Sequence, residues 1–284
     1  MRVAIRLYGG LGNQIFQYAF GRLLISQNLA EVYFDKSWLI HQPSHYQSDI
    51  RDFKLYESMQ FSKELTKNRI KYEELLNKIA RRSKIVRGVL KVNFECTLEQ
   101  VGLELINENH KFRGYYQNIT FPQHIFEHLK SLDWEPAHPS KQFLDSLYNF
   151  ENRSFAGIHI RGGDYLVANS IYDRLDTRYY KEAIKILNRE IPDAPLMIFT
   201  DDKPLAEKLL PVGYQYIFIS DFGLTTSEEF YFLTKACAHV IANSTFSYWA
   251  AAISQSTQIV VGPIAWYSRK GFEQPNYLND WQVI

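Results

Sequence analysis

Between residues 155 and 261 the chain alternates short apolar runs with amphipathic ones, and this alternation restricts the possible fold more than any other feature of the sequence. Segments 155–161 (FAGIHIR), 196–200 (LMIFT), 214–220 (YQYIFIS), 239–242 and 258–261 read as strands, while 177–190, 203–210, 227–238 and 244–254 read as helices. Strands separated by helices of about 8 to 14 residues satisfy their backbone as a parallel, doubly wound sheet with helices on its faces.

The amino-terminal end carries a smaller version of the same pattern. Val3, Ile5 and Leu7 alternate, Gly9-Gly10-Leu11-Gly12 forms a glycine-rich turn, a helical run covers 13–27, and 32–35 reads as a second strand. This is one βαβ unit. The middle of the chain is irregular. A proline-containing stretch around 134–141, with Pro136 and Pro139, marks the expected boundary between an amino-terminal α/β domain, 1–140, and a carboxy-terminal one, 141–284. The expected fold class is therefore α/β, with two domains facing one another. Within the first half, residues 67–91 hold nine Lys or Arg against Glu73 and Glu74. Such a run is either a solvated helix face, which is the commoner use, or a peripheral contact to an anionic membrane.

Charge and cysteine usage remove several function classes. With 32 Lys plus Arg against 31 Asp plus Glu, the net charge is +1, so no global basic field supports nucleic-acid binding, and none is expected. Only Cys96 and Cys237 occur, with no CxxC and no metal-like spacing, which argues against a disulfide framework and a structural zinc and fits the reducing cytoplasm. No run approaches the roughly 20 apolar residues of a spanning helix, and the opening residues run straight into a strand rather than a leader. Aromatic residues make up 15% of the chain, a payload that packs cores and also covers sugars and bases.

In an open parallel sheet the ligand lies beyond the carboxyl ends of the strands, which singles out three clusters. The first is His159-Ile160-Arg161-Gly162-Gly163-Asp164-Tyr165, the second Thr200-Asp201-Asp202, the third Asn243-Ser244-Thr245-Phe246-Ser247. A guanidinium binds two phosphate oxygens at once, so Arg161 suits a diphosphate. Asp164 either orients that guanidinium or caps a turn. His159 is a catalytic candidate, although a lone strand-end histidine serves more often as a structural hydrogen bonder. Ser244 and Thr245 open a helix, whose free N–H groups favour an anion unless a side chain caps them. Asp201 and Asp202 can accept from a ribose or a base edge, or cap the following helix. Two carboxylates beside one Arg-based phosphate site do not form a dedicated metal cage, so no metal or other cofactor is expected. The Gly9–Gln14 loop departs from the dinucleotide fingerprint, since Gln14 stands at its third glycine position. The loop either packs closely or brings the Asn13 and Gln14 amides, beside Gly10, to a ligand.

Taken together, these segments resemble the α-1,2-fucosyltransferase family. Residues 9–21 (GGLGNQIFQYAFG) are similar to its amino-terminal signature, 159–165 (HIRGGDY) to its H-x-R-R-G-D-Y motif, and 199–202 (FTDD) and 243–251 (NSTFSYWAA) to two further blocks, in the family's order. Gly162 stands where that motif has a second Arg. The resemblance implies a GT-B architecture of two Rossmann-like domains, with GDP-fucose held by the second and the acceptor glycan entering largely from the first, and an inverting, metal-independent transfer of fucose from GDP-fucose to the 2-hydroxyl of a β-galactoside glycan. It assigns the donor site to Arg161, Asp201, Asp202, Asn243, Ser244, Thr245 and Phe246, with Asn13, Gln14 and Gly10 reaching it from the first domain. The general base is not evident from the motifs; Asp35, at the end of the second strand, qualifies by position only. The competing expectations are a different acceptor, or a catalytically inactive nucleotide-sugar or glycan-binding protein.

Overall fold

The computed structural model describes residues 2–40, 49–62, 83, 85, 92–94, 110–150, 153–163, 172–268 and 275–284. Asp164, Tyr165 and all of 67–91 except Ser83 and Ile85 lie outside the described residues. The chain divides into two compact units, Met1–Leu129 and Lys130–Ile284, which places the Pro136–Pro139 stretch inside the second unit.

In the first unit, β1 (Arg2–Arg6), β2 (Glu31–Asp35), β3 (Val92–Phe94) and β4 (His110–Arg113) form a parallel sheet ordered β2-β1-β4-β3. Helix α1 (Leu11–Ser26) crosses from β1 to β2, and α2 (Ser37–Ile40) follows β2. Gly21 lets α1 lie directly on the sheet, since a Cβ there would stand 2.7 Å from the Phe34 ring. Strands β3 and β4 were not foreseen from the sequence. They are only three and four residues long, below the length at which periodicity separates a strand from a loop.

The second unit opens with α4 (Lys141–Phe150), after α3 (Gln123–Lys130), which straddles the division between the units. Its strands are β5 (Ala156–Ile160), β6 (Leu196–Thr200), β7 (Tyr216–Phe218), β8 (Ala238–Val240), β9 (Ile259–Gly262) and β10 (Gln282–Val283), all parallel where paired and ordered β10-β9-β8-β5-β6-β7. The chain thus leaves β5 toward one edge through β6 and β7, then returns to place β8 on the other side of β5. The gap between the β5 and β8 carboxyl ends is the topological switch point, where such sheets take their ligands.

Helix α5 (Thr177–Glu190) starts where Asp176 accepts from the backbone N–H groups of Arg178 and Tyr179, and it buries Tyr180, Ala183, Ile184 and Leu187 against Ile158, Val240 and Val261 of the sheet. Helix α6 (Lys203–Leu209) packs on the same face through Ala206. On the opposite face α7 (Thr226–Thr234) presents Leu233 to Gly157, and α8 (Thr245–Ile253) packs against α7. With β5 buried along its whole length, the sheet is covered on both faces. The helix expected over 227–238 stops at Thr234, because Ala236 and Cys237 turn the chain into β8 and Cys237 N–H bonds to Phe155 O. No helix of the described residues is long and apolar enough to cross a membrane.

Candidate active site

The three strand-end clusters of the second unit converge at the switch point. β5 delivers Arg161, the neighbouring β6 delivers Asp201, and β8 on the other side delivers Ser244 and Thr245 at the start of α8.

Arg161 is latched rather than free. Its Nη1 donates to Asp201 Oδ2 at 2.5 Å, and the Gly162 N–H donates to the other oxygen, Asp201 Oδ1, at 2.7 Å. One carboxylate therefore fixes both the guanidinium and the backbone that carries it. Asp201, expected with Asp202 to accept from a ribose or a base edge or to cap the following helix, accepts from these two protein donors. Asp202 caps α6 through one oxygen: its Oδ1 accepts from Leu205 N–H at 3.0 Å.

The tight β5–β6 junction also accounts for Gly162. A Cβ at this position would lie 2.5 Å from the Cβ of Asp202, so any side chain, including a second Arg, would push the two loops apart. Gly163 sits at φ +48°, a left-handed conformation that favours glycine, and a Cβ there would meet Asp201 Oδ2 at 2.9 Å.

At β8 the structure decides between two readings of Ser244. It is the N-cap residue of α8, yet its side chain makes no capping hydrogen bond. The first-turn N–H groups and the positive end of the helix dipole thus remain available to an anion beside Arg161. Asn243 is occupied elsewhere: buried, it donates to the carbonyls of Asp173 (2.8 Å) and Trp266 (3.0 Å) and ties the loops that follow β5 and β9 to the end of β8.

His159 lies on the α7–α8 face, stacked on Phe246 with ring centroids 5.5 Å apart, and Phe246 in turn meets Phe230 edge-on. Burial, with the positive Arg161 nearby, lowers its pKa to about 3, so the imidazole stays neutral and is a poor general base at ordinary pH. Its Nδ1 is buried without a hydrogen-bond partner.

One residue of this site escaped the sequence reading. Glu229 stands in the first turn of α7, one position after Glu228 of the Thr225–Glu228 capping box. Burial, and then the charge of Asp201, push its carboxyl up to about 7. A titratable acid with that value beside the strand ends is the kind of group that marks a functional site. The Thr-x-x-Glu pattern was the available signal, since it locates the helix start and hence its first-turn side chains.

In the first unit, Gln14 is fully buried. It donates to Gly9 O (2.8 Å) and accepts from Ile50 N–H (2.9 Å), so both ends of its amide serve the fold rather than a ligand. Asn13 is half-buried and accepts from Gln117 Nε2 at 2.8 Å, while Gly10 faces open space. Asp35 is a structural acid. Burial raises its carboxyl, but Arg6, bonded at 2.8 Å, and the Ser37 N–H, at 3.0 Å, outweigh that and hold it below the ordinary range. With its oxygens so occupied it does not serve as the base. The rings of the motif blocks Phe16, Tyr18, Phe20, Tyr248 and Trp249 are buried as packing.

Comparison with known proteins agrees with this geometry. The family model described as Glycosyl transferase family 11 matches residues 2–284. The O-antigen biosynthesis glycosyltransferase WbnK of Escherichia coli is 26% identical, over 92% of this chain and 94% of the relative. An alpha-1,2-colitosyltransferase of Escherichia coli is also 26% identical, over 94% and 93%. Among solved structures, Arabidopsis thaliana FUT1 in complex with GDP superimposes with a TM-score of 0.51 at 15% identity, covering 89% of this chain and 68% of that one, a likeness in fold. Two Rossmann-like units of GT-B type, an arginine and an open helix end at the second unit's switch point, and a family match over nearly the whole chain lead to one conclusion: this protein is a glycosyltransferase belonging to glycosyl transferase family 11.

Proposed function

We propose that the protein transfers fucose from GDP-fucose to the 2-hydroxyl of a galactose residue in a glycan acceptor, in the assembly of an O-antigen-type polysaccharide. The observation that carries this reading is the pairing of the Asp201-latched Arg161 with the uncapped start of α8 across the switch point. The acceptor hydroxyl oxygen forms its bond to the anomeric carbon as the bond from that carbon to the β-phosphate oxygen breaks; GDP leaves with the electron pair, and the hydroxyl proton passes to solvent water. Negative charge grows on the diphosphate, where a fixed guanidinium and a helix dipole stabilise the transition state more than the ground state. Because Asp201 already holds the arginine in place, little reorganisation accompanies that step.

Glu229 supplies a carboxyl beside the same strand ends, suited to accept from a ribose hydroxyl or a base N–H of the donor. This scheme invokes no divalent metal: the charge on the diphosphate is met by Arg161 and the start of α8, with Asp201 accepting from Arg161 and Gly162. The deciding experiment incubates the protein with GDP-fucose and a panel of galactosides in EDTA and identifies the product linkage. An α-1,2-linked fucosyl galactoside is the expected product; transfer that demands metal, or no transfer to any galactoside, refutes the proposal. A second reading, favoured by the colitosyltransferase among the relatives, keeps the site and replaces fucose by colitose. A parallel incubation with GDP-colitose separates the two by their kcat/KM ratio.

A further inference from the structure

In the first unit one row of side chains on α1 meets one row on α3. Tyr18 stacks on His128 with ring centroids 6.4 Å apart and planes 23° apart, and Ser26 Oγ lies 3.0 Å from His124 Nε2. Tyr18, Arg22 and Ser26 follow one another at four-residue spacing on α1, as His124 and His128 do on α3, so each set shares a helix face. The two pairings run in opposite senses, and Arg22 stands between them, one turn from each. At 1.5 Å of rise per residue Arg22 lies roughly 16 Å along α1 from Leu11, well away from the strand-end loop that opens the helix.

Arg22 differs from the other arginines described as buried or half-buried. Arg6, Arg51 and Arg161 each pair with a carboxylate, that of Asp35, Asp49 and Asp201 respectively. Arg22 is half-buried, its Nε is buried without a hydrogen-bond partner, and no carboxylate of the described residues pairs with it. It is the only charged residue of α1, and Glu127, the only acid of α3, is exposed and accepts from Gln123 at 2.6 Å. Apolar cover for the methylene stem explains why such a side chain lies against the protein, but not why its charged head has no acceptor. A guanidinium is charged at every ordinary pH, and a charged donor withdrawn from water without an acceptor weakens the fold.

The groups around this head are donors. Tyr18 has a phenol and His124 and His128 have imidazoles, which donate from one ring nitrogen when neutral and from both when charged. The charge of Arg22 acts on two of them. Burial raises the Tyr18 phenol and Arg22 draws it back, while burial and then Arg22 lower the His128 imidazole. An oxyanion would relieve all of these at once, since two of its oxygens can accept from the guanidinium fork and the rest from a phenol and an imidazole. The geometry points to Arg22, with Tyr18 and His128, as a binding site for a phosphate-class oxyanion between α1 and α3, built from other residues than the diphosphate site of the second unit. It holds whichever sugar the enzyme transfers. Two sources carry this chemistry: free inorganic phosphate and the headgroup phosphate of an anionic lipid.

The test uses the full-length protein with GDP present throughout, so that the second unit's anion site is filled. Inorganic phosphate is titrated in at an ionic strength held constant with chloride. In the wild type the His124 and His128 imidazole resonances should move with phosphate, the His128 pKa should rise by about one unit as the anion adds its charge, and Tm should climb with concentration. Arg22→Gln should weaken phosphate binding about tenfold or more, and Arg22→Lys, which keeps the charge and loses the fork, should retain part of it. Tm in chloride alone is the fold control. Should Arg22→Gln fail it, Tyr18→Phe, which removes only a hydroxyl, should still weaken binding about threefold. In a second arm, wild type and Arg22→Gln are sedimented with vesicles of phosphatidylglycerol in phosphatidylcholine and with phosphatidylcholine alone. An Arg22-dependent response to phosphate without Arg22-dependent sedimentation assigns the site to the free anion, and Arg22-dependent sedimentation with phosphatidylglycerol assigns it to the headgroup. Phosphate effects equal in wild type and variants, or unmoved histidine resonances with no Arg22-dependent sedimentation, overturn the inference.

Discussion

Replacing Glu229 by Gln isolates a single ionisation that should govern how this fold responds to pH. An ordinary glutamate titrates near 4.5, and in the folded protein Glu229 is pushed up to about 7, first by burial and then by Asp201. A raised carboxyl means the native state holds its proton more tightly than the unfolded state. Stability from this group therefore falls as pH rises from 4.5 to 7 and levels off above that. At about 1.4 kcal/mol per pH unit, ionised Glu229 costs the fold about 3 kcal/mol above pH 7 and under 1 kcal/mol at pH 5. Gln keeps the size and removes the titration. Glu229→Gln should thus be more stable than the wild type at pH 8 by about 3 kcal/mol, or 5–10 °C in Tm, and the advantage should shrink by about 2–3 kcal/mol at pH 5. Thermal melts of both proteins at half-unit intervals between pH 5 and pH 8 would measure it. A constant difference across that range refutes the reasoning, because a gap independent of pH cannot come from this carboxyl. The same ionisation reaches function. If Glu229 accepts a hydrogen bond from the donor nucleotide, GDP affinity should rise with pH through 7 in the wild type and stay flat, and weaker, in Glu229→Gln.

Arg161→Ala should lower kcat for transfer at least 100-fold, as loss of a preorganised charge-stabilising donor does. The Arg161–Asp201 pair is about one-third exposed on each side, 35% and 34%, and worth no more than about 1 kcal/mol, so Tm should move by only a few degrees; a large Tm loss would make Arg161 structural. Gly162→Ala should cost about 1–3 kcal/mol in denaturant unfolding, because its Cβ would intrude 2.5 Å from that of Asp202. An unchanged midpoint would show that the β5–β6 junction yields freely. His159 and His239 are both lowered to about 3, mainly by burial, and their contribution to stability is complete above 6.5. As pH falls from 6.5 toward 3 each should forfeit about 1.4 kcal/mol per unit. Their imidazole resonances, followed by NMR, should remain those of the neutral form at pH 5.

How far the sequence reaches differs between the two units. In the second, the helix 177–190 and the strand 196–200 occur as expected, and the helices over 203–210 and 244–254 lie within a residue or so of theirs. Their periodicity is long and uninterrupted, and each helix must bury one face on a sheet. The placing of Arg161 and Ser244 at strand ends follows from the same pattern. What side chains do at those ends does not. Asp201 and Asp202 are adjacent carboxylates, yet one latches Arg161 and the other caps α6. Asn243 and Ser244 likewise diverge: the first spends its amide on two carbonyls, and the second leaves its helix uncapped. Such choices depend on which donors the neighbouring strand brings within about 3 Å.

The first unit shows the limit more sharply. Gln14 and Gln17 look equally available in GGLGNQIFQ, but both amides are buried and spent on backbone. The rings of Tyr8, Trp38 and Tyr115 stand far apart in the chain and meet only because β1, β2 and β4 are neighbours in one sheet. By itself, then, the amino-acid order determined the strand–helix alternation, the parallel sheets, and the loops on which the chemistry sits, since these follow from local periodicity and backbone hydrogen bonding. Tertiary structure alone decided that β8 returns beside β5, that Asp201 rather than Asp202 holds the arginine, that burial and Asp201 push the Glu229 carboxyl up, and that three distant aromatics share one edge. Each of those depends on contacts between residues remote in sequence, where strand order and burial, rather than residue type, set the partner and the charge.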